Sequence, residues 1–284
     1  MTDVQAIADS RPTIETALTY TTDTGVRLAY QITETSEGED DPVIRERYVV
    51  HQVRVHDVRP FTDALSLDRE GFILRRSASA VTDFFDTAEV SAVYDPEIER
   101  LVKQETGAEK VVIFDHTIRV ESDAKRRAMK AREIVNLAHN DYTVKSGPQR
   151  VRDQLEPDEA ERRLQNRFAI YNLWRSIAGT VLSAPLTICD ARSVAHEDWV
   201  LCDMVYSDRV GEIYNLAHNV NHRWCYFPNM ETDEVMMFKS YESMDDGRAR
   251  FTPHTSFINP LAPDGAPPRE SIETRVLVFF PPDA

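Results

Sequence analysis

Two histidines and one carboxylate carry the sharpest chemical signal in the chain. In EIVNLAHNDYT (residues 133–143), His139 and Asp141 stand two apart. On an extended strand, residues at that spacing point to one side, with Val135 and Leu137 behind them on the same face. An imidazole nitrogen and a carboxylate oxygen then converge on one point, a ligand pair that lacks a third member. His254, far downstream in FTPHTSFINP, is the candidate. Two imidazoles and one carboxylate on one face of an octahedral ion leave three adjacent positions open, the donor set associated with non-haem Fe(II) chemistry. Beyond His254, PPRESIETRVLVFF sets Arg269, Ser271, Glu273 and Arg275 on one parity of a final extended segment. Arg269 and Ser271 could jointly grip a carboxylate, the guanidinium through paired N–H donors and the hydroxyl through one more.

Each of these residues has a plainer reading. His139 and Asp141 could be a buried strand histidine and its partner, and Arg269 a surface ion-pair partner of Glu270 or Glu273. The pentapeptide NLAHN also occurs twice, and the second copy, EIYNLAHNVNH, carries Val220 where the first has Asp141. No wider period accompanies it, so the copies read as two similar strands and not as a duplicated module. His218, His222 and Cys225 near the second copy form the rival metal cluster. On a strand, residues four apart are separated by about 13 Å, so that cluster requires a turn at Asn219–Asn221. Cys225 reads more simply as a small buried hydrophobe, and His116 as a strand histidine near the pocket or in the core.

Asn172, Arg175 and Trp224 are the candidates for substrate contact. In YNLWRSI, Asn172 and Arg175 fall on opposite faces of a regular strand, so both line a pocket only across a bulge. Trp174, Trp199 and Trp224 are large enough to serve as core anchors. No catalytic residue beyond the metal ligands stands out.

The elements that must position these residues are mostly strands. Residues 1–20 read as a flexible start, residues 36–41 (SEGEDD) as a loop, and ALTYTTDTGVRLAYQI as two extended segments around Asp23-Thr24-Gly25. GFILRRS is extended, and TDFFDTAEVSAVYDPEIERLVKQETG is helical with its stop at Gly107. From about residue 110, KVVIFDHTIRV, EIVNLAHNDYT, RFAIYNLWRSI, LTICDARS, WVLCDMVYS, GEIYNLAH, HRWCYFP, EVMMFKSYE and ETRVLVFFP are short extended runs, interrupted by one helix led by Pro157. Such spacing predicts an antiparallel barrel or double-sheet jelly roll. Residues 21–284 are expected to form a single domain, with a mixed part to about residue 109 and the β-rich core from about 110 to 284.

Composition narrows the function classes. The 284 residues include 33 basic and 48 acidic ones, a net charge of −15 with a pI near 5.0, which disfavours nucleic acid and anionic membrane surfaces. The basic runs KRRAMKAR and RRLQNR have the spacing of solvated helix faces. The cysteines, Cys189, Cys202 and Cys225, are odd in number with no C-x-x-C spacing, which fits a reducing cytoplasm. No basic leader or long apolar run is present. A small-molecule substrate is expected, and homodimerisation is compatible with the sequence.

The order HND, then His254, then RES resembles the Fe(II)/2-oxoglutarate-dependent dioxygenases. More narrowly, VVIFDHTIR, HNDYT, YNLWRSI, PLTICDARSV, HRWCYFPNM, DEVMMFKSYES and HTSFINPLAPDGAPPRESIETRVLVFF resemble the hydroxylase/desaturase family that includes the cephalosporin methoxylation hydroxylase subunit and gibberellin-desaturase-like proteins. The resemblance spans roughly residues 90–280. It implies a mainly β fold with flanking helices around a double-stranded β-helix (cupin-like jelly roll) core. It implies His139, Asp141 and His254 as iron ligands, and Arg269 with Ser271 on the distal carboxylate of 2-oxoglutarate, with Arg275 as the alternative anchor. It further implies O2 as a cosubstrate and oxidation of an unactivated C–H bond in a small secondary metabolite by hydroxylation, desaturation or cyclisation. The competing readings are a zinc hydrolase using the same triad and a non-catalytic metabolite-binding barrel with a degenerate site.

Overall fold

The computed structural model describes residues 12–32 and 45–282. Strand β7 (Phe168–Ser176; strands numbered from the amino terminus) shows why the chain folds as it does: every one of its residues is buried. Ala169, Tyr171 and Leu173 pack against Tyr94, Ile98 and Val102 of the helical segment that ends with the helix Asp95–Thr106. Residues of the other parity, such as Ile170 and Trp174, face the interior between two sheets. A strand covered on both faces reads as a nearly continuous apolar run, and each large side chain so buried contributes about 1.5–3 kcal/mol. The helix that covers it begins with Asp95-Pro96 and stops at Gly107, whose φ of 70° suits a left-handed cap.

The five-stranded sheet runs β4 (Phe72–Arg76), β12 (Glu234–Glu242), β7, β14 (Glu270–Phe279), β5 (Lys110–Val120). The facing sheet has nine strands. Their order is β1 (Thr13–Thr21), β3 (Tyr48–Asp57), β11 (Trp224–Tyr226), β8 (Leu186–Cys189), β13 (His254–Ser256), β6 (His139–Asn140), β10 (Val210–Leu216), β9 (Trp199–Val205), β2 (Leu28–Gln31). The two sheets form the expected jelly roll, with helices flanking it.

Three sequence expectations change. Residues 13–20 are not a loose start but most of β1, paired over its whole length with β3; alternating burial of Ile14, Thr16, Leu18 and Tyr20 supplies the driving force. The sheets do not begin at residue 110, because β1, β3 and β4 pair within them. EIVNLAHNDYT is extended but is a strand only over His139–Asn140. The expected loop at residues 36–41 lies outside the described residues.

Two bulges shape the interior. Opposite the consecutive residues Arg275 and Val276 of β14, β5 presents Asp115 and Ile113, so Phe114 is the extra residue. The strand's sidedness switches there, and both Phe114 and Asp115 reach the interior cleft. The same switch turns His116 outward, to Thr274 at 2.9 Å and Asp95 at 2.8 Å, rather than to the pocket or the core. In β12, Ser240 is the extra residue opposite β7.

Candidate functional site

His139 opens β6 and His254 opens β13, and the two are direct cross-strand partners. Their ring centroids lie 4.4 Å apart with planes tilted by 54°. Asp141 follows β6, and its Oδ1 is 3.4 Å from His139 Nε2 and 4.0 Å from His254 Nε2. One ligand atom from each of the three lies within 4.8 Å of the others, the one group of this kind among the described residues.

The atoms facing away from that point are already committed. His139 Nδ1 is 2.8 Å from the Leu137 carbonyl and His254 Nδ1 is 3.3 Å from the Thr252 carbonyl. A ring nitrogen against a carbonyl donates its proton, which leaves each Nε2 with a lone pair. Asp141 Oδ2 accepts from Asn172 Nδ2 at 2.7 Å and from Arg275 Nε at 2.8 Å, leaving Oδ1 for a metal. Ser240, placed by its bulge, donates to Asn172 Oδ1 at 2.7 Å and fixes which way that amide points. Asn140, between the two ligand residues, donates to the carbonyls of Tyr142 and Ser240, and accepts from the Thr252 N–H at 3.1 Å. One buried amide thus ties the His139–Asp141 turn to the segment carrying His254. These residues fit an octahedral divalent iron: two neutral nitrogens and one anionic oxygen, each held by a second hydrogen bond.

Charge states agree with that fit. Burial pushes the His254 imidazole down to about 3, helped by the neighbouring His139. Burial works against the charged form of Asp141, but Arg275 and the two histidines hold its carboxyl well below the ordinary value. Burial also opposes charge on His139, and its hydrogen bond with Asp141 nevertheless raises it. A metal ion bound to Nε2 would take the place of that proton.

Arg269 lies on the same side of the interior. Its side chain is buried, and Nη1 donates to the Ala184 carbonyl and to Ser256 Oγ, each at 2.6 Å. Its Nε has no partner, and no carboxylate lies within ion-pairing distance of the guanidinium among the described residues. Burial pushes this guanidinium down to about 9. A buried cation with an idle donor calls for an anion. The small pocket it lines also contains His139, His254, Trp174 and Ser256, so the anion would sit beside the ligand pair. Arg275 differs: it is saturated by Asp141, Asp115 at 2.5 Å, and Glu273. Ser271 is buried on β14 with the parity of Arg269 but is not among the residues lining this pocket. The hydroxyl beside the guanidinium is that of Ser256.

The pocket opens into a larger cleft of about 460 Å³, to which Arg119, Val135, His139 and Arg275 are common. Two of the residues expected to contact substrate lie elsewhere. Arg175 has the helix-facing parity of β7; it donates to the Ser77 carbonyl and lies over the Tyr94 ring. Trp224 is fully buried in the outer layer of the large sheet, its Nε1 donating to Tyr20 Oη at 2.6 Å. Asn172 does face the interior, but its contact is Asp141. The rival cluster does not assemble either: Cys225 Sγ donates to the Arg223 carbonyl, and the side chain packs with Val58, Phe227 and Met230 rather than with His218 and His222. Sequence reasoning overlooked Ser256, Asn140 and Ser240. Ser256 had a signal, since it stands two residues past His254 on a strand and shares its face; the role of Ser240 depends on a bulge and had none.

Comparison with known proteins agrees with this geometry. A family model described as an oxidoreductase/YMDC permease-like domain matches residues 18–279. The hydroxylase/desaturase efuI of Hormonema carpetanum is 32% identical, over 95% of this chain and 96% of the relative. The Fe(II)/2-oxoglutarate-dependent dioxygenase nvfI of Aspergillus novofumigatus is 32% identical over 81% and 83%. The solved structure of the iron and alpha-ketoglutarate-dependent endoperoxidase NvfI superposes with a TM-score of 0.82 at 28% identity, covering 94% of this chain and 98% of that one. With a donor set for iron, a cradle for an anionic cosubstrate and near full-length similarity to these enzymes, the chain belongs to the hydroxylase/desaturase family of Fe(II)- and 2-oxoglutarate-dependent dioxygenases.

Proposed function

We propose that His139, Asp141 and His254 hold the iron, that Arg269 with Ser256 anchors the distal carboxylate of 2-oxoglutarate, and that the enzyme oxidises a C–H bond of a small secondary metabolite held in the larger cleft. The observation that carries this reading is the commitment of every outward-facing ligand atom, which leaves one lone pair on each of three residues aimed at a common point. Iron bound there, with 2-oxoglutarate and O2, supplies oxidative decarboxylation to succinate and CO2 coupled to removal of hydrogen from the substrate.

The chain's own contribution is positioning and exclusion of water. Arg275 and Asn172 hold Asp141 by one oxygen and so present the other. Asn140 keeps the two ligand segments in register. Arg269 fixes the cosubstrate against Trp174, whose ring lies 5.4 Å from the guanidinium. The larger cleft directs the substrate toward the His139 and Asp141 end. The reaction is a hydroxylation, desaturation, cyclisation or endoperoxidation according to how the substrate is held. Among the described residues no helix is long and apolar enough to cross a membrane. The three buried cysteines carry thiols and not disulfides, which fits a reducing, cytoplasmic setting.

The test is anaerobic addition of Fe(II) and 2-oxoglutarate, read as a weak visible charge-transfer band, followed by succinate formation in air. The band and succinate are expected in the wild type. Zinc as the resident metal after anaerobic purification, with no band, would instead support the hydrolase reading.

A further inference from the structure

The cleft has an apolar body and an ionic rim, and the rim is unbalanced. Phe114, Met204 and Ile213 supply apolar wall, while the helix Ser146–Gln154 turns Ser146, Gln149, Arg150 and Asp153 toward the space, one face at helical spacing. Every carboxylate on the lining already faces a cation. Arg275 covers Asp141 and Asp115, and Arg27 covers Asp203 and Glu212. Asp153 stands 3.7 Å from Arg150, a loose contact one helical turn along.

Two cations on the rim, Lys145 and Arg150, are not used up in return. Lys145, which begins this rim, has no ion-pair partner among the described residues. Arg150 lies with its guanidinium 5.4 Å from the Phe114 ring centroid, and its buried Nε has no acceptor. In a protein of net charge −15, a cleft rim that presents Lys145 and an Arg150 held only by that loose contact with Asp153 is a local attractor for anions. A cation lying on an aromatic wall is also placed to meet a molecule that is apolar next to its charge.

We propose that the substrate is a largely apolar small molecule bearing one carboxylate, and that Arg150, assisted by Lys145, binds this group at the solvent side of the cleft. The C–H bond to be oxidised then points to the opposite end, at His139 and Asp141. The proposal rests on the oxygenase reading for the reaction but not for the binding, so the two can fail separately.

Abietic acid and its methyl ester provide a matched probe pair with an apolar skeleton that differs only in charge. Binding is measured anaerobically by calorimetry in the presence of Fe(II) and 2-oxoglutarate, for the wild type and for Lys145→Gln/Arg150→Gln. The acid should bind about tenfold more tightly than the ester, with the preference shrinking in high salt and falling to near unity in the double variant. Equal binding of acid and ester, no binding of the acid, or a preference that survives in the variant overturns the proposal. A variant that no longer unfolds cooperatively is replaced by Arg150→Lys, which keeps the charge and should keep the preference; its loss there would also count against the proposal. Failure of Fe(II) and 2-oxoglutarate to bind the wild type would defeat the oxygenase reading instead, whatever the probes do.

Discussion

The two copies of NLAHN lie side by side and use their histidines in opposite ways. They run antiparallel, with His139 opposite Asn215 and Asn140 opposite Tyr214. In the first copy, His139 and His254 are tilted against each other by 54°, and their Nε2 atoms share a carboxylate oxygen. In the second, His218 leaves the sheet and stacks on His51, with centroids 3.7 Å apart and planes within 3° of parallel. His222 turns to Asp198 at 3.0 Å, and Asp198 also accepts from Asn219 Nδ2 and the Ala195 N–H. In-plane lone pairs of parallel stacked rings do not meet at a point, and a carboxylate engaged on both oxygens has none to offer. Histidines near a carboxylate are therefore not yet a metal site; ring tilt and an uncommitted oxygen decide it.

Substitutions can break this contrast, and the largest effect belongs to the first cluster. Asp141→Ala should abolish iron binding and coupled succinate formation, a loss greater than the roughly 10–100-fold that removal of an outer partner costs. Retained iron by metal analysis, with normal succinate, would remove Asp141 from the site. Arg269→Gln should leave iron in place but weaken 2-oxoglutarate by at least about 30-fold, as expected when a buried charged partner is lost. Anaerobic titration of the visible band measures it, and an unchanged midpoint would shift the anchor elsewhere. Arg275→Gln should reduce iron affinity by roughly 10–100-fold with little change in the 2-oxoglutarate midpoint at saturating iron, because its guanidinium, although it borders the cosubstrate pocket, is engaged by Asp141, Asp115 and Glu273.

The second cluster should respond in stability alone. Asp198→Ala strands donors on His222, Asn219 and Ala195, and should cost about 1–3 kcal/mol in a denaturant melt while iron affinity stays constant. A loss of iron in that variant would erase the distinction between the clusters. The smallest effect is on pH. Burial lowers both His218 and His222 below the ordinary 6.5. A histidine whose folded value is depressed stabilises the fold above the unfolded value, and that stability is lost as the pH falls below it. The metal-free protein should therefore melt at lower temperature as the pH drops below about 6.5, and replacing His218 and His222 by Asn should make the slope shallower, the remainder coming from His254, which burial also depresses; an unchanged slope in that variant would show that the cluster does not titrate in this way.

Much of the site was legible because strand sidedness is local. His139 with Asp141, and Arg269 with Glu273 and Arg275, keep the sides that their spacing assigns, since alternation is built into the extended backbone. The same rule put Asn172 and Arg175 on opposite faces of β7; it did not say which face was inside, and Arg175 turned out to pack against the helix. Where a bulge intervenes the rule fails. Phe114 and Asp115 both reach the cleft, and Ser240 reaches Asn172, because an extra residue resets the side-chain period. The start of β1, residues 13–16, escaped notice for a different reason: β1 is an edge strand whose partner, β3, lies across a stretch of unrelated sequence, and pairing of that kind leaves little trace in composition.

The sequence by itself determined the donor types, their sides on each strand, the acidic surface and the many-stranded class of the fold, because these follow from side-chain chemistry and local backbone geometry. Tertiary structure alone decided that His254 lies opposite His139, that Arg275 pairs with Asp141 while Arg269 has no carboxylate partner among the described residues, and that the histidines of the second NLAHN do not converge on a common point. Those outcomes depend on register between distant strands, which is set by the packing of two sheets and not by any one segment.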